Sequence, residues 1–161
     1  MSDGPWLDSE ELRAWRSFVA MHHQLERHLE RHLQRDFGLS APDYEILVNL
    51  SEAPGDRMRA FELGEATDWE KSRLSHHLSR MAKRGLLRRD AGEGRYPDIV
   101  LTAAGRAAIE QAAPAHAARV RALFVDVLGR DRLRLIGAAS DDVLAAVETH
   151  RRADERPVER A

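Results

Sequence analysis

Between Trp69 and Leu101 the chain changes from a period of 3.6 to a period of 2 within a few residues, and this change restricts the fold more than any other feature. Leu74, Leu78 and Met81 stand four and three residues apart, the spacing of a helix from about Trp69 to Arg84 with one buried stripe. Gly85 closes it as a left-handed cap. Leu86-Leu87-Arg88-Arg89 and Tyr96-Pro97-Asp98-Ile99-Val100-Leu101 then read as two strands flanking Ala91-Gly92-Glu93-Gly94, a glycine-containing hairpin tip. Pro97 cannot donate to a ladder, so an edge strand is predicted there. A short helix around Ala60 to Ala66 precedes Thr67-Asp68. Two helices joined by a tight turn and followed by a hairpin form a helix-turn-helix with a wing.

Charge singles out the same stretch. From Lys71 to Arg95 eight basic residues face only Asp90 and Glu93, a local charge of +6 on a chain whose total is −2, which leaves −8 on the remainder. A short basic segment on an acidic body is the footprint of a protein that presents one face to a polyanion. The same pattern also fits a solvated helix face.

The flanking segments are helical. Asp8 with Glu11 resembles a capping box, and Leu12, Trp15, Phe18, Val19, His22, Leu25, Leu29 and Leu33 recur at helical spacing until Phe37-Gly38. A helix of about 28 residues runs to ~40 Å, longer than a lobe of this size needs for its own core, so it is expected to pack against another subunit. Ser40-Ala41-Pro42-Asp43 starts a second helix, with Tyr44, Leu47, Val48 and Leu50 as its buried stripe and Ala53-Pro54-Gly55-Asp56 as its end. Thr102 caps an alanine-rich helix from about Ala103 to Leu128, where Pro114 predicts a kink or break. A last helix covers roughly Arg130 to His150, and Arg151 to Ala161 reads as a frayed tail.

Several classes of function are excluded early. The chain has 161 residues, enough for one domain, and 43% hydrophobic residues, enough for a core. It has no cysteine, hence no disulfide, thiolate metal site, cysteine nucleophile or thiol oxidant sensor. Its apolar runs are too short to span a bilayer and its first residues lack the pattern of a signal peptide, so a soluble, cytoplasmic protein with no membrane partner is expected. Ser75-His76 lies on one helix without a positioned third group, and there is no glycine-rich phosphate loop, so no enzyme and no cofactor are expected.

The run from Asp68 through Lys71-Ser72-Arg73-Leu74-Ser75-His76-His77-Leu78-Ser79-Arg80-Met81, then Lys83-Arg84-Gly85-Leu86-Leu87-Arg88-Arg89, then Arg95 and Leu101-Thr102-Ala103-Ala104-Gly105, resembles the MarR (multiple antibiotic resistance regulator) family. The likeness extends to Leu39-Ser40-Ala41-Pro42-Asp43-Tyr44 and Pro114-Ala115-His116. It implies a mainly α fold with a small β-hairpin wing. It also implies a homodimer joined by its terminal helices, binding to inverted-repeat operators in double-stranded DNA, and frequent release by a small ligand. On this reading residues 39–102 form the winged helix-turn-helix lobe, and residues 6–38 and 103–152 the dimerisation lobe. The chain departs from the family pattern where Glu93-Gly94-Arg95 replaces Asp-x-Arg, His76 replaces Arg and Ser79 replaces Asp. The last change removes a salt-bridge partner for Arg80 and Arg95.

The candidate DNA-binding residues are Lys71, Ser72, Arg73, Ser75, His76 and His77 in the first turns of the recognition helix, with Arg80 beyond them. Arg73 suits guanine O6 and N7, Arg88 a phosphate, and Arg95 at the wing tip a narrow minor groove. Lys83 and Arg84 near the helix end serve the helix dipole equally well. Trp15, Phe18, His22 and Tyr44 are candidates for a crevice that takes an organic anion, with Arg16 and His23 at its edge, although such aromatics are more often core. His28 and His32, four apart on one face, are the alternative signal of a zinc-responsive regulator. A constitutive regulator, and a helical protein-interaction module without DNA binding, complete the alternatives.

Overall fold

A computed structural model describes residues 6–91 and 97–154. The helices are α1 (Ser9–Phe37), α2 (Ala41–Glu52), α3 (Ala60–Thr67), α4 (Lys71–Lys83), α5 (Ala103–Val120) and α6 (Asp126–Asp154). The strands are β1 (Arg57–Arg59), β2 (Leu87–Asp90) and β3 (Asp98–Leu101). The chain divides into two compact units, Met1–Arg119 and Val120–Ala161.

Local chemistry sets the helix ends in the first unit. Asp8 accepts from the backbone of Glu10 and Glu11 while Glu11 reaches back to the Asp8 amide, and Ser40 and Asp43 repeat this reciprocal cap on α2. Gly38 and Gly85 take the left-handed conformation, at φ 65° and 76°, where a Cβ is disfavoured. Asp68 does the same at φ 53° in the turn between α3 and α4, a conformation aspartate tolerates.

One core serves α1 through α5. Leu33 of α1, Ile46, Leu47 and Leu50 of α2, Leu63 of α3, Leu74, Leu78 and Met81 of α4, Leu87, Ile99 and Leu101 of the sheet, and Ile109 and Ala112 of α5 are all buried together. This core continues across residues 38/39 and 102/103, the expected lobe boundaries. The segment Leu101-Thr102-x-x-Gly105 locks α5 onto the end of α4: the Thr102 hydroxyl donates to the Gly85 carbonyl at 2.6 Å and accepts from the Gly105 amide. A Cβ on Gly105 would stand 2.0 Å from the Leu86 carbonyl oxygen.

One expectation is extended and two need correction. The wing is part of a three-stranded antiparallel sheet of order β1-β3-β2, with Met58 opposite Ile99 and Arg88 opposite Val100. The strand after Pro97 is consequently central and not an edge; Pro97 precedes its first paired residue, so the ring removes no ladder bond. Helix α5 runs through Pro114 without a break. Pro114 and Glu110 are both exposed, so the carbonyl that loses its donor lies on the solvent side.

In the second unit a π-helical turn, Arg121–Val125, leads into α6. The break expected near residue 129 is present: Gly129 has φ 68° and ψ 170°, outside the helical region. Helix α6 extends to Asp154, beyond the predicted start of the tail, and buries none of its residues within the chain.

Candidate nucleic-acid interface

Helix α4 has two faces of different chemistry. Leu74, His77, Leu78 and Met81 are buried, whereas Lys71, Ser72, Arg73, Ser75, His76, Ser79 and Arg80 are exposed. The exposed set contains every residue assigned to DNA from the sequence on this helix except His77. His77 is 6% exposed, its Nε2 is 3.0 Å from Asp43 Oδ1, and its ring meets Trp69 edge-on at 5.4 Å. It belongs to the back of the helix, because the i, i+3, i+4 spacing that buries Leu74 and Leu78 also buries position 77.

Several exposed side chains are held in place. The Arg73 guanidinium lies 4.3 Å from the centre of the Trp69 ring, a cation–π contact. Arg80 donates to His77 Nδ1 at 2.6 Å. From β2, Arg89 donates to the Ser75 carbonyl and the Ser79 hydroxyl, both at 3.3 Å, which ties the wing strand to the recognition helix. Arg88 pairs with Asp90 at 2.7 Å. Arg95 lies outside the described residues.

Behind this face sits a polar cluster that the sequence did not reveal. Asp43, 2% exposed at the start of α2, accepts from His77, from Arg84 at 2.6 Å and from the Ser40 amide at 3.0 Å. Arg84 also donates to the Gly38 carbonyl, so its role is structural. Burial pushes the Asp43 carboxyl up, but the hydrogen bonds from Arg84 and Ser40 and the Arg84 charge outweigh it and hold the group below its ordinary value. Burial lowers His77, with the Asp43 carboxylate opposing and the Arg80 and Arg84 charges adding to the shift. In the sequence Asp43 stands out only by following Ser40 at three residues at the start of α2; its partners lie 34 and 41 residues away.

The aromatic candidates do not converge. Trp15, Phe18 and His22 stack in succession along α1, with centroids 6.0 and 6.3 Å apart, and all three are exposed. Tyr44 instead packs on His116 at 4.4 Å, in a second polar cluster with His32 and Arg119. Tyr44 follows Asp43 directly and so turns to another side of α2. His32 contacts Asp36 at 2.7 Å, and His28 faces Arg119 at 3.4 Å. His32 Nε2, His116 Nδ1 and Arg119 Nε are buried with no hydrogen-bond partner. Burial, and then His32, lower the His116 imidazole below its ordinary value. No group of three or more potential metal ligands occurs among the described residues.

Comparison with known proteins gives a consistent picture. A family model described as the MarR family matches residues 37–95. AbsC, a MarR family transcriptional regulator from Streptomyces coelicolor, is 40% identical, with 91% of this chain and 99% of that one covered and a TM-score of 0.87. Sco3205, a MarR family transcriptional regulator from the same organism solved in complex with DNA, is 35% identical, with 90% and 92% covered and a TM-score of 0.85. No curated protein matches the sequence.

Proposed function

The chain belongs to the MarR family of transcriptional regulators, and on that premise we propose that it is a homodimeric repressor that binds an inverted-repeat operator and leaves it when a small organic anion binds. As a transcriptional regulator it is not an enzyme. The observation that carries DNA binding is the exposed run Lys71, Ser72, Arg73, Ser75 and His76 on a helix whose opposite face is core. Such a helix meets base edges with its first turns and, through Arg80, further along the same exposed face, while Arg88 suits a backbone phosphate. The relative solved with DNA, Sco3205, supports the same assignment. A regulator of this kind acts in the cytoplasm. No helix among the described residues is long and apolar enough to cross a membrane.

Dimerisation is supported by apolar faces with nothing to cover them inside each unit. Trp15 is 56% exposed and Phe18 51% on α1; Leu135 is 70% exposed, with Val143, Leu144 and Val147 similar, on α6. Exposed apolar surface of this extent marks an interface. Two-fold symmetry then sets equivalent recognition helices about 34 Å apart, one turn of DNA. Selection from random duplex DNA should return an inverted repeat, and Arg73→Ala should lose ~1–3 kcal/mol of preference at one base position per half-site. A folded monomer at micromolar concentration, or selection without enrichment and without salt-dependent binding, would remove this reading in favour of an interaction module.

Ligand control is supported by the Tyr44, His116, His32 and Arg119 cluster, where His32 Nε2, His116 Nδ1 and Arg119 Nε are buried without a hydrogen-bond partner although Asp36 lies beside His32. A carboxylate supplies two acceptors for such groups, and an aromatic ring suits the Tyr44 and His116 faces. Benzoate-class acids should weaken operator binding and raise the melting temperature, since they bind the native state. Zinc and peroxide belong in the same screen. A zinc response abolished by His28→Ala with His32→Ala would establish the metal reading, and no response to any compound would leave a constitutive regulator.

A further inference from the structure

We propose that His77 is a positioning residue for DNA recognition: from the buried back of the recognition helix it holds Arg80 in the place from which that arginine meets DNA. The proposal rests on the DNA-binding reading above. Arginine only donates, and an ionised carboxylate only accepts. With Arg80 at 2.6 Å from Nδ1 and Asp43 at 3.0 Å from Nε2, the imidazole must carry its proton on Nε2, give it to Asp43 and accept from Arg80 at Nδ1. The chain Ser40–Asp43–His77–Arg80 thus runs from the cap of α2 through the helix to its exposed face, and every link has a stated direction.

Anchoring matters for Arg80 because a free arginine loses rotamer entropy on binding, whereas one already hydrogen-bonded at its base loses less. Lys83, exposed on the same helix, has no such anchor among the described contacts. Protonation of Nδ1 replaces the acceptor with a second N–H pointed at a guanidinium, which breaks the link. The groups facing His77 are Asp43 from α2, Arg80 and Arg84 at its own helix, and the uncharged Trp69 edge. Of these only the carboxylate favours the protonated ring, and Arg84 and Ser40 share that carboxylate.

Two side chains divide the imidazole between them. Glutamine extends an amide N–H to the place of Nε2 and keeps the Asp43 contact, while asparagine ends at the place of Nδ1 and keeps an acceptor for Arg80. Binding of the purified protein to its selected operator and to a scrambled duplex should be measured for wild type, His77→Gln, His77→Asn, Arg80→Ala and His77→Gln with Arg80→Ala. The expected result is an about tenfold loss of operator preference in His77→Gln, a smaller loss in His77→Asn, and a double variant no worse than Arg80→Ala. Wild-type preference should also fall as the pH drops through the histidine range, a dependence that Arg80→Ala reduces. That pH profile carries the test if His77→Gln does not fold. His77→Gln with full preference, losses that multiply in the double variant, or identical pH profiles for wild type and Arg80→Ala would overturn the positioning role while leaving DNA binding intact. Wild-type protein without operator preference would overturn both.

Discussion

Adjacent residues of α2, Asp43 and Tyr44, belong to two polar clusters of opposite character. Around Asp43, the carboxylate, His77, Arg80 and Arg84 satisfy one another. Around Tyr44, His32, His116 and Arg119 leave buried nitrogen atoms unpaired. An unpaired buried polar group costs ~1–3 kcal/mol, and natural proteins keep such a cost chiefly where function needs it. The first cluster is built to hold a helix in one geometry. The second is built, on our reading, to be completed by something else.

The largest effect should follow from removing the hub of the satisfied cluster. Asp43→Ala strips partners from His77 and Arg84 and removes one half of the capping box with Ser40, so a loss of about 3 kcal/mol in denaturant unfolding is expected. A loss below about 1 kcal/mol would show that the cluster does not hold the fold, and the contrast would collapse.

Acid should act on both clusters at intermediate strength. His77 and His116 are each lowered from the ordinary 6.5, so the unfolded chain binds more protons below that value and folding stability falls as the pH drops through it. Asp43, lowered from 3.8, contributes stability that is present above its unfolded value and lost as the pH falls further. Unfolding free energies at pH 8 and pH 5 should therefore differ less in His77→Gln and in His116→Phe than in wild type. Unchanged differences in both variants would remove the two histidines as the titrating groups.

The smallest effect is expected at His32. Replacing it by leucine removes the buried Nε2 that has no partner and also the contact with Asp36, so the two effects offset and stability should change by no more than ~1 kcal/mol, while any response to an aromatic acid disappears. If His32→Leu destabilised the protein as much as Asp43→Ala does, the second cluster would be structural too.

Much of the architecture was legible because it is written in short spacings. Capping boxes at Asp8 and Ser40, the left-handed glycines at 38 and 85, the Leu74, Leu78 and Met81 stripe and the exposed Lys71 to His76 face all depend on residues at most four apart, and the structure carries each of them. Strand β1 was not legible, since Arg57-Met58-Arg59 has no periodicity of its own and becomes a strand only by pairing with β3. His77 was misassigned for a related reason. A polar residue beside four exposed polar neighbours reads as surface, and only a carboxylate brought from 34 residues away makes its burial affordable. Tyr44 likewise has the composition of a ligand-site residue wherever it lies, but its partner is His116, on α5, and not the α1 aromatics. The sequence by itself determined the helices, their ends and the basic face, because helical periodicity and caps are local. Which buried polar groups meet, and which stay unpaired, was decided by tertiary packing, because a hydrogen bond in a core needs both partners at about 3 Å and chain spacing does not encode that distance.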